Sequence, residues 1–213
     1  MARPFSGTPR ALPGAPRSFS GTRSLIRRFD ACAETGFDRL RGTPAADHLF
    51  YSASELGDFS LAWIILGCLR GLRSHKSDER AALRLGGGLV AESFMVNAVI
   101  KSMFRRTRPP WDVHRPRGLR RPLTSSFPSG HATSSFTAAV LLSEDDPLWP
   151  LYWGVAAVIA GSRVYVRIHH ASDVAAGVAV GVVTGLAIRH LIPLTPPGPQ
   201  ITATEAEATT RAS

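Results

Sequence analysis

Three short segments of this chain concentrate the residue types that handle phosphate. The first is Lys101-Ser-Met-Phe-Arg-Arg-Thr-Arg108-Pro109. On a helix seven residues turn through about 700°, close to two full turns, so Lys101 and Arg108 are expected on one face. Pro109 and Pro110 should end that helix and push Arg108 toward extended backbone. Two cations facing one point suit an oxyanion, although a basic helix end beside a membrane is commonplace.

The second segment, Ser126-Phe-Pro128-Ser129-Gly130-His131, runs straight into the apolar stretch 132–142. Pro followed by Ser-Gly reads as a helix start, where unpaired backbone N–H groups and the positive dipole end form an anion site. Gly130 lets the backbone come close to an oxyanion. His131, in the first turn, is placed to protonate a leaving oxygen; a bound phosphate dianion restores the cationic form that the dipole disfavours. The third segment is Ser162-Arg163-Val-Tyr-Val-Arg-Ile-His169-His170-Ala-Ser-Asp173. A helix would set His169 and Asp173, four apart, on one face. A carboxylate that holds one ring nitrogen as a donor leaves the other free as a nucleophile. His170, three residues from Asp173, competes for that role on spacing alone. Arg163 supplies a planar fork for phosphate oxygens. These His and Asp residues show no recognisable metal-ligand spacing, so no metal is expected.

The elements that must carry these segments are apolar stretches at 59–69, 85–100, 132–142, 147–162 and 174–188, each bounded by charge or by Gly and Pro. None supplies the roughly 20 apolar residues of a bilayer-crossing helix without including a charge. Stretch 85–100 contains Glu92, and 147–162 stops at Arg163. The charges sit mostly at the ends, where a long side chain reaches the interface or a polar site. From Val174 onward the chain is apolar all round, and Gly177, Gly181 and Gly185 recur every four residues. That ridge of small residues suits close helix packing in lipid. No run alternates with period two, which argues against β-structure. The fold expected is an all-α membrane bundle of about five spanning helices; a buried helix of a soluble bundle is the competing reading of the same pattern.

At 213 residues, with 44% hydrophobic and 19% charged, the chain fits one domain and excludes a disordered protein. Lys plus Arg total 25 against 16 for Asp plus Glu, a net charge of +9. No nucleic-acid motif or aromatic interleaving accompanies that charge, so nucleic acid is not an expected partner. Cys32 and Cys68 make no disulfide framework. Four regions are expected. Residues 1–23 form a disordered basic arm, whose composition also resembles an organelle transit peptide. Residues 24–50 form an amphipathic interfacial helix region, with Leu25, Ile26, Phe29, Cys32, Phe37 and Leu40 at helical spacing; a packed cytosolic helix explains them equally well. Residues 51–192 form the membrane domain, and 193–213 a disordered tail.

Taken together, Lys101 with Arg108-Pro109, then Pro128-Ser129-Gly130-His131, then Ser162-Arg163 with His169 and Asp173 resemble the three-part signature of the type 2 phosphatidic acid phosphatase family, whose superfamily includes the vanadium haloperoxidases. The resemblance spans about 55–191, in order, with every signature position filled. It implies an α-helical bundle that hydrolyses a phosphomonoester or diphosphate of a lipid, without metal or other cofactor. By position, His169 would be the nucleophile forming a phosphohistidine and Asp173 its orienting carboxylate. His131 would be the acid that protonates the leaving group and then activates water. Lys101, Arg108, Ser129, Gly130 and Arg163 would bind phosphate oxygens. The chain departs from six-helix members in showing one clear apolar stretch, 59–69, before the helix that ends in Lys101, and in having only a short Arg-rich loop between Pro109 and Pro128.

The partners implied are a lipid phosphate substrate and a membrane. By family analogy the substrates are a polyprenyl phosphate or diphosphate or a polyprenyl sugar phosphate, then phosphatidic acid or phosphatidylglycerol phosphate. A haloperoxidase-like oxidoreductase holding vanadate, soluble or peripheral, and a non-catalytic membrane scaffold are the alternatives. Five passes put the N-terminus and all three segments on one side. The stretch up to Arg41 has eight arginines, whereas loop 70–84 offsets its five Lys or Arg with Asp78 and Glu79. The positive-inside tendency then predicts a cytoplasmic active site in a bacterial-type plasma membrane. Arg115, Arg117, Arg120 and Arg121 are expected to attract phosphate or anionic headgroups, or to be a solvated basic loop.

Overall fold

The computed structural model describes residues 17–73, 75–111, 115–119, 122 and 124–194. The arm up to residue 16, Arg120, Arg121 and the tail from 195 lie outside the described residues. Every regular element among the described residues is helical. Helix α1 (Arg17–Asp38) starts inside the segment expected as an arm, so the amphipathic region begins earlier than position 24. Its apolar stripe divides. Leu25, Ile26 and Phe29 face outward, while Phe37 packs edge-on against Phe50 and Tyr165.

Helices α2 (Pro44–Gly57) and α3 (Leu61–Gly71) are separated by a 3-10 turn, Asp58–Ser60. Phe59 and Ser60 there take left-handed backbone, with φ of 53° and 57°. Each costs about 1–2 kcal/mol for an L-residue, so surrounding contacts must hold the break. Next come α4 (Lys76–Phe94), a π-helical turn (Met95–Ile100) and α5 (Lys101–Met103), followed by α6 (Gly130–Leu142), α7 (Trp149–Tyr165) and α8 (Ala171–Leu191).

Helices α3 and α6 run side by side in the same direction: Trp63 Nε1 donates to Ser135 Oγ (3.1 Å) near their starts, and Arg70 Nη1 donates to the Leu142 carbonyl (2.6 Å) at their ends. Helix α4 with its π turn returns between them, and α7 and α8 complete an antiparallel set of five. The stretches Pro44–Gly71, Lys76–Met103 and Ala171–Leu191 are long and apolar enough to cross a membrane. Helix α6 is the buried axis. The glycine ridge of α8 lies directly on it: a Cβ at Gly177 would stand 2.6 Å from the Ser129 carbonyl oxygen, and one at Gly181 2.4 Å from that of Thr133. Leu61, Ile64, Leu83, Val90, Phe94, Val183 and Leu186 are exposed on the outside of α3, α4 and α8, an apolar surface suited to lipid.

The end of the bundle away from the three motifs is tied by ions. Arg70, fully buried, donates to Asp78 and to the Leu142 and Glu144 carbonyls, capping the end of α6. Asp146 accepts from Arg73 (2.8 Å) and from the Tyr152 hydroxyl (2.9 Å), and Arg84 pairs with Glu144 (2.6 Å). Several basic residues of loop 70–84 are thus consumed inside the protein.

Candidate active site

The three motifs meet at the opposite end, around a cavity of about 230 Å³ lined by Lys101, Arg108, Gly130, His131, Arg163 and His169. Ser129 and Asp173 are fully buried behind its wall.

Lys101 opens α5, directly after the π turn, and its Nζ donates to Asn97 Oδ1 (2.9 Å). The helix stops at Met103, and Phe104 is already extended (φ −122°, ψ 130°). Lys101 and Arg108 therefore do not share a helix face as the spacing predicted. Arg108 instead comes back to Lys101 along extended chain, which is held by pairing of Ser126 N with the Arg106 carbonyl (3.1 Å). Its guanidinium is fixed by the carbonyls of Thr124, Ser125 and Ile168 at 3.1–3.2 Å. The helix ends six residues before Pro109, earlier than the prolines require, and the loop carbonyls take its place as scaffold.

Ser129 is the N-cap of α6, and its Oγ accepts from Ala132 N. A Cβ on Gly130 would lie 3.4 Å from Lys101 Nζ, so the ammonium stands over the first turn of α6. His131 Nε2 lies 2.8 Å from Asp58 Oδ1, in the broken turn between α2 and α3. Gly57 makes this approach possible, because a Cβ there would come within 2.8 Å of the His131 ring and of Ile159. Arg163, buried at the end of α7, donates to Ser54 Oγ through Nη1, while its Nε has no hydrogen-bond partner among the described residues.

His169 precedes α8 and does not lie on it, since His170 is the N-cap. The shared helix face expected for His169 and Asp173 is therefore replaced by a capping turn. Asp173 Oδ2 accepts from His170 N (2.9 Å) and stands 3.8 Å from His169 Nδ1. The closer partner of Nδ1 is the Ser126 carbonyl oxygen, at 2.8 Å. A carbonyl only accepts, so Nδ1 carries the proton and Nε2 keeps its lone pair, 3.1 Å from Arg108 Nη1. Burial pushes the His169 pKa down to about 3; Asp173 pulls the other way, and Arg163 and Arg108 add to the depression. The ring is a neutral imidazole whose unprotonated Nε2 accepts from Arg108 Nη1. His170 caps α8 and does not line this cavity.

Four participants escaped the sequence. Ser126 acts through a backbone carbonyl, which residue type does not reveal. Asp58 is one acid at a helix boundary. Arg106 donates to Asp173 Oδ1 (2.6 Å) and to Asp30 Oδ2 (2.8 Å) on α1, yet it is one of three arginines between Phe104 and Pro109. Asp30 also accepts from Ser172 N (2.8 Å), a contact 142 residues away in the chain.

The sequence profile of the PAP2 superfamily matches residues 81–195. Decaprenylphosphoryl-5-phosphoribose phosphatase from Mycobacterium tuberculosis (strain ATCC 25618 / H37Rv) is 33% identical over 132 residues, covering 62% of this chain and 72% of that protein. Undecaprenyl-diphosphatase from Sulfolobus acidocaldarius is 41% identical over 63 residues, 29% of this chain and 31% of that protein. LpxE from Aquifex aeolicus shares the fold with a TM-score of 0.58 at 24% identity, over 78% of this chain and 93% of the other. A transmembrane PAP2 type phosphatidylglycerolphosphate phosphatase from Bacillus subtilis does so with a TM-score of 0.55 at 21% identity, over 80% and 86%.

Proposed function

The chain belongs to the PAP2 superfamily, and we propose that its cavity cleaves the phosphate ester of a polyprenyl-linked lipid through a covalent intermediate on His169. The protein is an integral membrane lipid phosphatase, a phosphoric monoester or diphosphate hydrolase. The names of two relatives, one acting on a decaprenylphosphoryl-5-phosphoribose and one on an undecaprenyl diphosphate, support the polyprenyl class.

One observation carries the mechanism: the Ser126 carbonyl fixes the Nδ1 proton of His169, so Nε2 presents its lone pair beside Arg108. A phosphate in the cavity meets the cations of Lys101, Arg108 and Arg163 and the N-terminus of α6. Phosphoryl transfer demands mostly positioning and charge stabilisation, which these groups provide. His169 Nε2 attacks phosphorus, the bond to the leaving oxygen breaks, and His131 gives that oxygen a proton. His131, again neutral, then takes a proton from water, which attacks phosphorus and breaks the P–N bond, releasing phosphate and the free imidazole. Asp58 holds the His131 ring through both proton transfers, and Asp173 balances the charge that builds on His169.

The active site faces the cytoplasm in this reading. Support comes from Arg23, Arg27, Arg28 and Arg39, exposed on α1 and the turn after it, set against Arg70, Arg73 and Arg84 at the far end, which are absorbed in ion pairs. The membrane domain takes in 51–192, with α1 lying at its interface. Phosphate release by the detergent-purified chain across a panel of polyprenyl phosphates, diphosphates and glycerophospholipid phosphates tests the reading. Turnover should be lost in His169→Ala and largely kept in His170→Ala. The reverse result identifies the wrong nucleophile, and no release from any lipid phosphate rejects the reading.

A further inference from the structure

A second groove, of about 570 Å³, opens where the first half of α1 crosses the loop that leaves α5. Its apolar lining is Ile26, Phe104 and Phe127, the two phenylalanine rings meeting edge to face with centroids 5.0 Å apart. Its basic lining is Arg23 and Arg27 from α1 and Arg105 from the loop. None of these three arginines has an acidic partner among the described residues. The acids of α1 are engaged elsewhere, Asp30 on Arg106, and Glu34 and Asp38 on Arg167. Apolar surface here lies beside positive charge that nothing described offsets.

The ion pairs also fix how α1 lies. Asp30 accepts from Ser172 N in the first turn of α8, and Glu34 and Asp38 hold Arg167 just past the end of α7. Both anchor points are at the active-site end of the bundle, so α1 lies across that end and not along it. Phe104 follows directly on the stretch Lys76–Met103, which is long and apolar enough to cross a membrane. The groove thus opens where such a span meets lipid headgroups. Arginines beside apolar side chains at that level fit an anionic lipid, whose phosphate meets the guanidinium groups while its chain lies on Ile26 and the phenylalanines. Two lining residues also bear on His169. Arg106 holds Asp173 (2.6 Å), and Phe127 follows Ser126, whose carbonyl fixes the Nδ1 proton. We propose that the groove binds an anionic phospholipid of the surrounding bilayer, and that its occupancy raises turnover by bracing these two supports of the nucleophile. The effect on turnover rests on the phosphatase reading; the binding does not.

The test places the full chain in phosphatidylcholine nanodiscs with and without phosphatidylglycerol, a phosphodiester that offers no terminal phosphate to cleave. A prenyl phosphate at fixed, saturating mole fraction is the substrate, and native mass spectrometry counts the phosphatidylglycerol retained on each chain. Wild type should retain it in preference to phosphatidylcholine and gain about fivefold or more in kcat. Arg23→Gln combined with Arg27→Gln should lower retention about tenfold and bring the ratio of the two kcat values to about one. Arg23→Lys with Arg27→Lys keeps the charge and should keep both effects. Arg28→Gln removes the same charge about 100° round the helix from Arg27, outside the groove, and should change neither by more than about twofold. Equal loss in Arg28→Gln overturns the proposal, since diffuse attraction to a charged surface would then suffice. So does sulfate that gives the same gain in pure phosphatidylcholine, which would mark a soluble-anion site, or a dimer that the paired Gln substitutions dissociate. Retention without a gain in kcat overturns the link to His169. No turnover in either membrane rejects the phosphatase reading and leaves retention to decide the groove.

Discussion

Asp30 on the N-terminal helix and Asp173 at the start of α8 bind the same guanidinium, that of Arg106. The amphipathic helix is therefore joined to the carboxylate beside the His169 ring by one side chain. Asp30→Ala should lower kcat by about tenfold with little change in KM, in line with loss of a partner that orients a catalytic ligand. Asp30→Glu should recover part of the loss. Steady-state phosphate release measures both, and an unchanged kcat would mean that Arg106 and the His170 amide hold Asp173 without Asp30.

Asp58 is predicted to matter in the same way for His131. Asp58→Asn keeps the size of the side chain but not its charge, and should reduce kcat by about 10- to 100-fold. Rapid-quench kinetics of the dephosphorylated lipid, the product of the first step, would locate the defect: loss of its burst points to leaving-group protonation, and a retained burst with slow turnover points to water activation.

Much of this was legible from residue types. The gathering of Lys101, Arg108 and Arg163 around one cavity, the start of α6 and the ridge of Gly177, Gly181 and Gly185 all follow from side chains whose chemistry is local. What was not legible is where the chain breaks helical geometry. Lys101 and Arg108 were expected on one helix face, and so were His169 and Asp173. In both cases the helix ends or starts between the two residues: it stops at Met103, well before the prolines, in one case, and the His170 cap intervenes in the other. Ser126 and Asp30 act across long sequence separations, through a carbonyl and a surface acid, and nothing in a single sequence distinguishes them from their neighbours.

Glycine substitutions should separate packing from propensity. Gly181→Ala sets a methyl 2.4 Å from the Thr133 carbonyl oxygen, on a backbone that cannot retreat, and should destabilise the bundle by about 1–3 kcal/mol. Gly86→Ala meets nothing within 4 Å on α4 and should stabilise it by about 0.5–1 kcal/mol. Thermal unfolding in detergent reads both, and equal effects of the two would contradict the α6–α8 contact.

The His169 ring makes stability depend on pH. Unfolded, it titrates near 6.5, as an ordinary histidine does; folded, burial holds it to about 3. Between those values the unfolded chain binds more protons, so this contribution is complete above about 6.5 and shrinks as pH falls toward 3. His169→Asn should therefore lose less thermal stability than wild type between pH 7 and pH 4.5. Parallel curves would show the ring to be accessible to protons in the folded state.

Lys101, Arg108 and Arg163 line the cavity, and in the proposed mechanism they supply the positive charge that a metal supplies in other phosphoryl-transfer sites. Activity should survive EDTA, and orthovanadate should inhibit competitively by adopting the trigonal-bipyramidal geometry of in-line transfer. A strict requirement for added divalent cation would remove the basis of the mechanism.

The left-handed turn at Phe59 and Ser60 has a consequence for what the enzyme measures. Phe59 is 82% exposed, and both residues line the same cavity as Ser93 and Asn97. The chamber is thus open on the side of Phe59, and in the proposed reading a lipid tail can stay outside it while its head is cut. In the proposed reading none of the described residues lining the cavity then gauges the lipid tail, and catalytic efficiency should be blind to its length.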